Sequence, residues 1–387
     1  MICKTKMKFN LGLMFLICFV AVANKSVAQM ADKTEIDNTA VYGPNEPDTL
    51  GSGAVGIMPV PEVSKLTAII YDDAYTDGEI DYGALKIASK KYSKTYTAGK
   101  LDELMIDNRF GEVKINTWSR NEFSVEVQVK IYADKQADAR NFLELINVID
   151  SRKEASVSFK TTIGDNGGNS NVLWKGEDKP HLKKIEINYV VFMPSKNALN
   201  VSNSYGAVIL PDFEGKLMLN SLYSNLEAKR LINPLNNVKL NFGNANIESF
   251  SGTKLEILHG GLNLNEGNNF NASVTYGPAR IGKVYSTANI SVKFGKQLRI
   301  DNIDKHIKTL NVNAAYTSVQ FGKIAGLNAD FDMSACYGRL NSRDPHIKLV
   351  ANPMADTPVK NYKGRLGKGS ASRNIVVKTN FSQVDFD

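Results

Sequence analysis

The chain has 387 residues, of which 47 are Lys or Arg and 40 are Asp or Glu, for a formal charge of +7. Four of those lysines fall in the first 28 residues, which hold no acid, so the remainder carries only +3. A balance that near neutral excludes a general pull towards nucleic acid, and 43% hydrophobic residues exclude wholesale disorder.

Residues 1–28 are expected to be a secretory signal peptide. Three lysines precede an apolar run from Leu11 to Ala23, and Ser26, Val27 and Ala28 supply the small residues a signal peptidase reads. That run is about 13 residues, too short to cross a bilayer as a helix. No later segment reaches a transmembrane length, so an exported chain without a membrane span after cleavage is expected. Cleavage removes Cys3 and Cys18 and leaves Cys336 alone, a small buried hydrophobe with no thiolate zinc cluster around it. Residues 29–90 are expected to be an irregular linker, with Pro44, Pro47, Pro59 and Pro61 against regular structure and Leu66–Tyr71 as one possible strand. The acidic run Asp72, Asp73, Asp77, Glu79 and Asp81 lacks EF-hand spacing and reads as a solvated turn.

From residue 104 a pattern recurs. Leu104, Ile106 and Asn108 lead to Phe110-Gly111, then Val113 and Ile115; Leu199, Val201 and Asn203 lead to Tyr205-Gly206, then Val208 and Leu210. Later copies centre on Tyr223, Phe242, Tyr276, Phe294, Tyr316, Tyr337 and Phe381, and a degenerate copy, Leu255, Ile257, His259 and Gly261, fills the gap near 260. Before each aromatic the apolar positions alternate, as in a strand with one buried face. After it they come three and five places on, so the chain must bend, and the small residue with its tolerance of positive φ is the expected corner. The aromatics are then expected to face inward, with His259 a core histidine beside them. Phe213 with Gly215, Phe250 with Gly252 and Ile324 with Gly326 add a third apolar site to some units.

From Tyr205 on, the copies are 15–22 residues apart, with one gap of 44 between Tyr337 and Phe381; 95 residues separate Phe110 from Tyr205. Such a period predicts an all-β fold, a parallel β-helix or β-solenoid of roughly 18–22-residue rungs, and not a propeller with its longer blades. Two segments interrupt it. Residues 91–198 are expected to hold the first rung and a strand–helix–strand capping insertion: strand Glu122–Tyr132, a helix capped by Asp134 and running to about Asp150, strand Ala155–Thr162, a polar loop, and strand Lys184–Met193. Residues 199–387 form the expected solenoid, interrupted by a basic insertion at 343–373 that holds seven Lys or Arg against Asp344 and Asp356.

The stretch Lys100–Ile115, the insertion after it, and Leu199-Asn200-Val201-Ser202-Asn203-Ser204-Tyr205-Gly206 beyond Pro194 resemble the putative adhesin family (auto-transporter-adhesin-head-like) of bacterial envelope proteins. The resemblance covers roughly residues 90–387 and implies a β-solenoid in the periplasm, on the outer-membrane surface or outside a Gram-negative cell. It carries no catalytic residues over, and Tyr223-Ser224 and Tyr316-Thr317 depart from its aromatic–glycine corners.

Chemistry-bearing motifs are sparse. His181, His259, His306 and His346 have no HxH or HExxH spacing, no phosphate loop or nucleophile elbow is present, and no metal or cofactor is expected. The expected function is a non-catalytic, adhesin-like binding or structural element, with a periplasmic partner in envelope-stress signalling or a polysaccharide-acting β-helix enzyme as alternatives. The candidate ligand contacts are Lys348, Lys360, Lys363, Arg365, Lys368 and Arg373, facing an anionic glycan, lipid headgroups or an envelope protein, and no nucleic acid.

Overall fold

The computed structural model describes residues 85–164, 182–324, 326–342, 344–351, 357–370 and 372–386. All lie in the second of two compact units, Pro61–Asp387. The expected signal peptide, the linker as far as residue 84, the acidic run 72–81 and His181 are outside the described residues.

The N-terminal part contains β1 (Lys86–Thr97), β2 (Glu103–Trp118), β3 (Glu122–Ala133), α1 (Gln136–Glu144), β4 (Ile146–Lys153), β5 (Ser156–Ile163) and β6 (Leu182–Pro194). β1 was not anticipated. It pairs antiparallel with β3, which pairs antiparallel with β6. The helix is shorter than expected: it starts after Lys135, with no side-chain cap, and ends at Glu144. Ile146 and Ile149, within the span expected to be helical, belong instead to β4, which pairs antiparallel with β5. The β-branched run Ile146–Ile149 favours a strand, and pairing with β5 satisfies its backbone. No helix among the described residues is long and apolar enough to cross a membrane.

The central part runs through β7 (Ala198–Leu210), β8 (Leu217–Leu231), β9 (Asn237–Asn241), β10 (Ala245–Leu258), β11 (Leu262–Thr275), β12 (Ala279–Val284), β13 (Thr287–Lys293), β14 (Gln297–Ile303), β15 (Thr309–Ala315) and β16 (Ser318–Lys323). All of its named pairings are parallel. The register is strict enough to trace two apolar columns across it. One runs Val201, Leu219, Val238, Leu255, Ala272, Ile290 and Val312. The other runs Val208, Leu226, Ala245, Leu262, Ala279, Leu298 and Val319. Every member is buried, and each fully buried Leu, Ile or Val contributes about 1.5–3 kcal/mol. Phe213, Phe250 and Ile324, the extra apolar sites, are buried with them.

The C-terminal part holds β17 (Ala329–Cys336), β18 (Arg339–Ser342), β19 (Ile347–Ala351), β20 (Val359–Leu366), β21 (Asn374–Asn380) and β22 (Gln383–Phe386). Here spatial order leaves chain order. β21 lies between β15 and β17, parallel to both, and β22 lies between β16 and β18. The last unit thus sits between the two that precede it in sequence. β20 pairs antiparallel with β17 and β19, so the basic insertion is partly strand. Cys336 is buried at the end of β17.

The corners differ from expectation in two ways. The residue with positive φ is the aromatic itself: Phe110, Tyr205, Tyr223, Phe242, His259, Tyr276, Phe294, Tyr316, Tyr337 and Phe381 all have φ between 49° and 64°. The following glycine is needed for closeness instead. A Cβ on Gly206 would stand 1.9 Å from the Gly111 carbonyl oxygen, and one on Gly277 equally close to that of Gly260. The left-handed turn also throws the ring outward, so the expectation of inward aromatics fails. Phe110 is half-buried against the core, and among the other aromatics exposure runs from 38% at Tyr205 to 61% at Tyr337. His259 is likewise exposed, in the ring position; the corner pair is His259-Gly260, one step earlier than the Gly261 alignment placed it.

Candidate functional site

The ten corner rings form one continuous stack. Their order is Phe110, Tyr205, Tyr223, Phe242, His259, Tyr276, Phe294, Tyr316, Phe381 and Tyr337, with centroids 4.7–5.4 Å apart and planes within 18° of parallel. Nine steps give a stripe roughly 45 Å long, set by the spacing of neighbouring strands. Stacking returns about 0.5–1.5 kcal/mol per pair, against the roughly 1–2 kcal/mol a side chain costs in left-handed backbone. Each interior ring has both faces covered by its neighbours and offers solvent only its edge. A sugar-stacking platform needs open faces, so the interior of this column does not provide one.

Beneath the first corners lies a buried polar relay. Asn108 Nδ2 donates to Asn203 Oδ1 at 3.2 Å, and Asn203 Nδ2 donates to the Gly111 carbonyl at 3.2 Å and to Ser224 Oγ at 3.0 Å. Asparagine amides thereby satisfy backbone and hydroxyl groups that the bend takes out of the strand ladder. On the outer face, Asn311 donates to Asn289 and Asn289 to Asn271, each at 2.7 Å.

The six sequence-predicted contacts divide into three groups. Lys348 on β19 stands opposite Arg365 on β20, and Arg365 stands opposite Asp330 on β17, so all three share one face. Lys363 is on that face too, opposite Asp332 and 4.0 Å from its carboxylate. Lys360 belongs to the other face of β20, with buried Tyr362 and Leu366, and lines a recess of about 560 Å³ with Tyr337, Arg339 and Gln383. Lys368 and Arg373 lie in the connection to β21, where Lys368 N donates to Asn328 Oδ1 and Arg373 Nη1 to the Asn328 carbonyl. The structure therefore gathers Lys348, Lys363 and Arg365 and separates Lys360 from them. Asp330 and Asp332 offset part of their charge. Exposed pairs of this kind are worth about 0–1 kcal/mol, leaving the cations available to a ligand.

Other polar constellations hold strands together. The Tyr92 and Tyr96 hydroxyls on β1 both donate to the Asp150 carboxylate on β4. Those hydrogen bonds, Tyr92's first, keep the Asp150 carboxyl below its ordinary range, while burial and the carboxylate raise Tyr92. Asp304 accepts from Lys283 and from the His306 backbone and is lowered to about 2. Among the described residues no group of three or more His, Cys, Asp or Glu is arranged to hold a metal ion.

No family model matches this chain, and no curated protein does. Among solved structures, putative adhesins from Parabacteroides merdae and Parabacteroides distasonis each match at 11% identity and a TM-score of 0.33, over 78% and 77% of this chain and 96% and 97% of theirs. A putative lipid binding protein from Parabacteroides distasonis matches at 10% identity and a TM-score of 0.27, over 77% of this chain and 96% of its own. Scores that low carry no argument about fold or function.

Proposed function

We propose that this chain is an exported β-solenoid of the bacterial envelope that acts by binding and not by catalysis. The observation that supports it most is the repetition of one side-chain type at one place in unit after unit, from the buried columns to the ring stack. Such a chain makes long uniform surfaces with little bending freedom, which suits a scaffold or an adhesive face. In this proposal α1 and β1–β6 close one end of the coil, and β17–β20 close the other. The anionic contact is the face that carries Lys348, Lys363 and Arg365, with Lys368 at its margin.

Cosedimentation of residues 29–387 with phosphatidylglycerol vesicles, phosphatidylcholine vesicles and an anionic polysaccharide tests that contact. Binding to an anionic probe that falls at least tenfold in the Lys348→Glu/Lys363→Glu/Arg365→Glu variant is expected. Equal binding by the folded variant, or none by the parent chain, overturns it. Cell fractionation tests export: recovery in the cytoplasm at full length removes the envelope assignment.

A further inference from the structure

Folding alone does not account for the column of corner rings. From Tyr205 to Tyr316 seven rings follow one another without a break, and all of their chain neighbours are described. The chain bends at each ring and the ring points outward, so the column is a convex ridge and not a groove. Six steps at the spacing of neighbouring strands make this stretch about 30 Å long. Stacking only about balances the cost of left-handed backbone, so the fold gains little by holding these side chains in solvent. The six aromatics of the stretch are each 38–51% exposed. At roughly 150–250 Å² per side chain, that is a strip of about 500 Å², near the upper end of the largest apolar patch on an ordinary monomer. Leu222, exposed, and Leu258, partly so, widen it.

The charge along the strip has one sign. A stacked aromatic turns its edge to solvent, and the edge is the positive part of the ring's quadrupole. The residues directly before each ring and two places after it flank the ridge, and none of them is a carboxylate, whereas Lys293 and Lys296 flank Phe294. Tyr205, Tyr223, Tyr276 and Tyr316 add one hydroxyl each, a donor as well as an acceptor.

We propose that this ridge docks on the surface of a lipid bilayer, with its ring edges among the glycerol esters and phosphates. That zone joins apolar chains to acceptor oxygens, and it suits side chains with an aromatic body and a polar tip. A second copy of the chain is a poorer occupant. About 500 Å² falls short of the roughly 800 Å² per partner of a stable interface, and two convex ridges meet only along a line. A bilayer yields around a ridge and needs no matching groove. Rings already clamped between their neighbours also lose little freedom on docking. The contact is separate from Lys348, Lys363 and Arg365 and needs no net lipid charge.

The test is cosedimentation of the expected mature chain, residues 29–387, with phosphatidylcholine vesicles, which offer the basic face no net charge. Binding should be half-complete at about 1 mM lipid, about tenfold weaker than the roughly 0.1 mM of a single acyl anchor. Tyr223→His/Phe242→His/Tyr276→His keeps a flat ring at every step, as His259 does in the native stack, but replaces apolar edges by polar ones. At about pH 8, where histidine is neutral, this variant should bind at least about fivefold more weakly. Lys348→Glu/Lys363→Glu/Arg365→Glu should leave the binding unchanged. In a second measurement the fluorescence of Tyr276→Trp, read as the difference from the parent, should shift to the blue when the vesicles are added. That shift decides the matter if the histidine variant does not fold. No binding of phosphatidylcholine by the parent, binding indifferent to the folded histidine variant, or an unshifted tryptophan overturns the inference. Binding confined to phosphatidylglycerol and abolished by the basic-face variant overturns it too, and leaves the proposed anionic contact standing. Dimerisation that is lost in the histidine variant, without lipid binding, overturns it in favour of a second copy.

Discussion

The centre of the molecule and its two ends solve different problems with the same chain. From β7 to β16 the named pairings are parallel and in register, and each unit buries its apolar face on its neighbours. At both ends the pairing turns antiparallel, through β3, β1 and β4 on one side and β20 and β19 on the other. A parallel array cannot satisfy its outermost strand with another copy of itself, and an exposed edge invites pairing with other chains. The ends also differ from each other. β1 carries Lys86, Lys90, Lys91 and Lys94, a charged edge, whereas β19 exposes Leu349 and Val350, the latter at 71%. The centre repeats its apolar positions from unit to unit, whereas β1, β3, β4, β19 and β20 pair antiparallel through sequence that does not repeat.

The sharpest way to break the central rule is at Gly206. Replacement by Val should destabilise by at least about 3 kcal/mol in urea unfolding, because backbone and not a movable side chain occupies the space. Gly164, with φ of 84° and nothing within 4 Å of where a Cβ would stand, should tolerate Ala at about 1 kcal/mol. Equal costs at the two positions would refute close approach as the reason for the corner glycine.

Next in size is the buried relay. Asn203→Leu should cost about 2–3 kcal/mol, since it removes one of the two acceptors of the Asn108 amide, the other being the Ile187 carbonyl, and the side-chain donor to the Gly111 carbonyl. Ser221 occupies the matching register position one unit on, and its hydroxyl is buried with no hydrogen-bond partner. Ser221→Ala should therefore be neutral or stabilising by up to about 1 kcal/mol, and a large loss there would contradict the hydrogen-bond argument.

The ring column gives a smaller effect. Tyr276→Ala keeps the strained backbone and removes two stacking contacts, for a loss of about 1–2 kcal/mol. Tyr276→Gly relieves the strain and should cost less than Ala, an inversion of the usual order inside strands. If Ala is the milder change, left-handed backbone is not what the aromatics are overcoming.

This column also marks what was legible in the sequence. Alternation before each aromatic and the shift to places three and five after it located the strands and the bend, because burial imposes both. The shift could not say which of two adjacent residues carries the left-handed backbone. An aromatic is the less favoured choice by local preference, and only stacking with the next unit reverses that preference. His259 was missed as a ring because the alignment favoured Gly261 over Gly260, although His259-Gly260 reproduces the flat-ring-then-glycine pair. Insertion of β21 between β15 and β17 left no local mark, since its apolar pattern fits either neighbour. Of the candidate contacts, clustering by charge was visible in sequence; the separation of Lys360 from Lys363 depends on strand alternation within β20, which the insertion was not expected to contain.

The smallest effect concerns pH and again separates centre from end. Asp304, in the turn after β14, is lowered from 3.8 to about 2, chiefly by its hydrogen bond with Lys283 and then by the His306 backbone. A carboxyl depressed in the folded state contributes stability that is fully present above about pH 4 and disappears as pH falls towards 2. Because the Lys283 partner is partly exposed, the contribution should stay below about 1 kcal/mol and shrink in salt. Asp150 has the same sign, but its partners are tyrosine hydroxyls, neutral throughout the acid range. Its share should vanish over the same acid limb yet respond less to salt, since no full positive charge is a principal partner. Urea midpoints at pH 5 and pH 2.5, in low and high salt, separate the two through Asp304→Asn and Asp150→Asn. An acid-limb contribution at Asp150 as salt-sensitive as that at Asp304 would show that charge, and not the paired hydroxyls, ties β1 to β4.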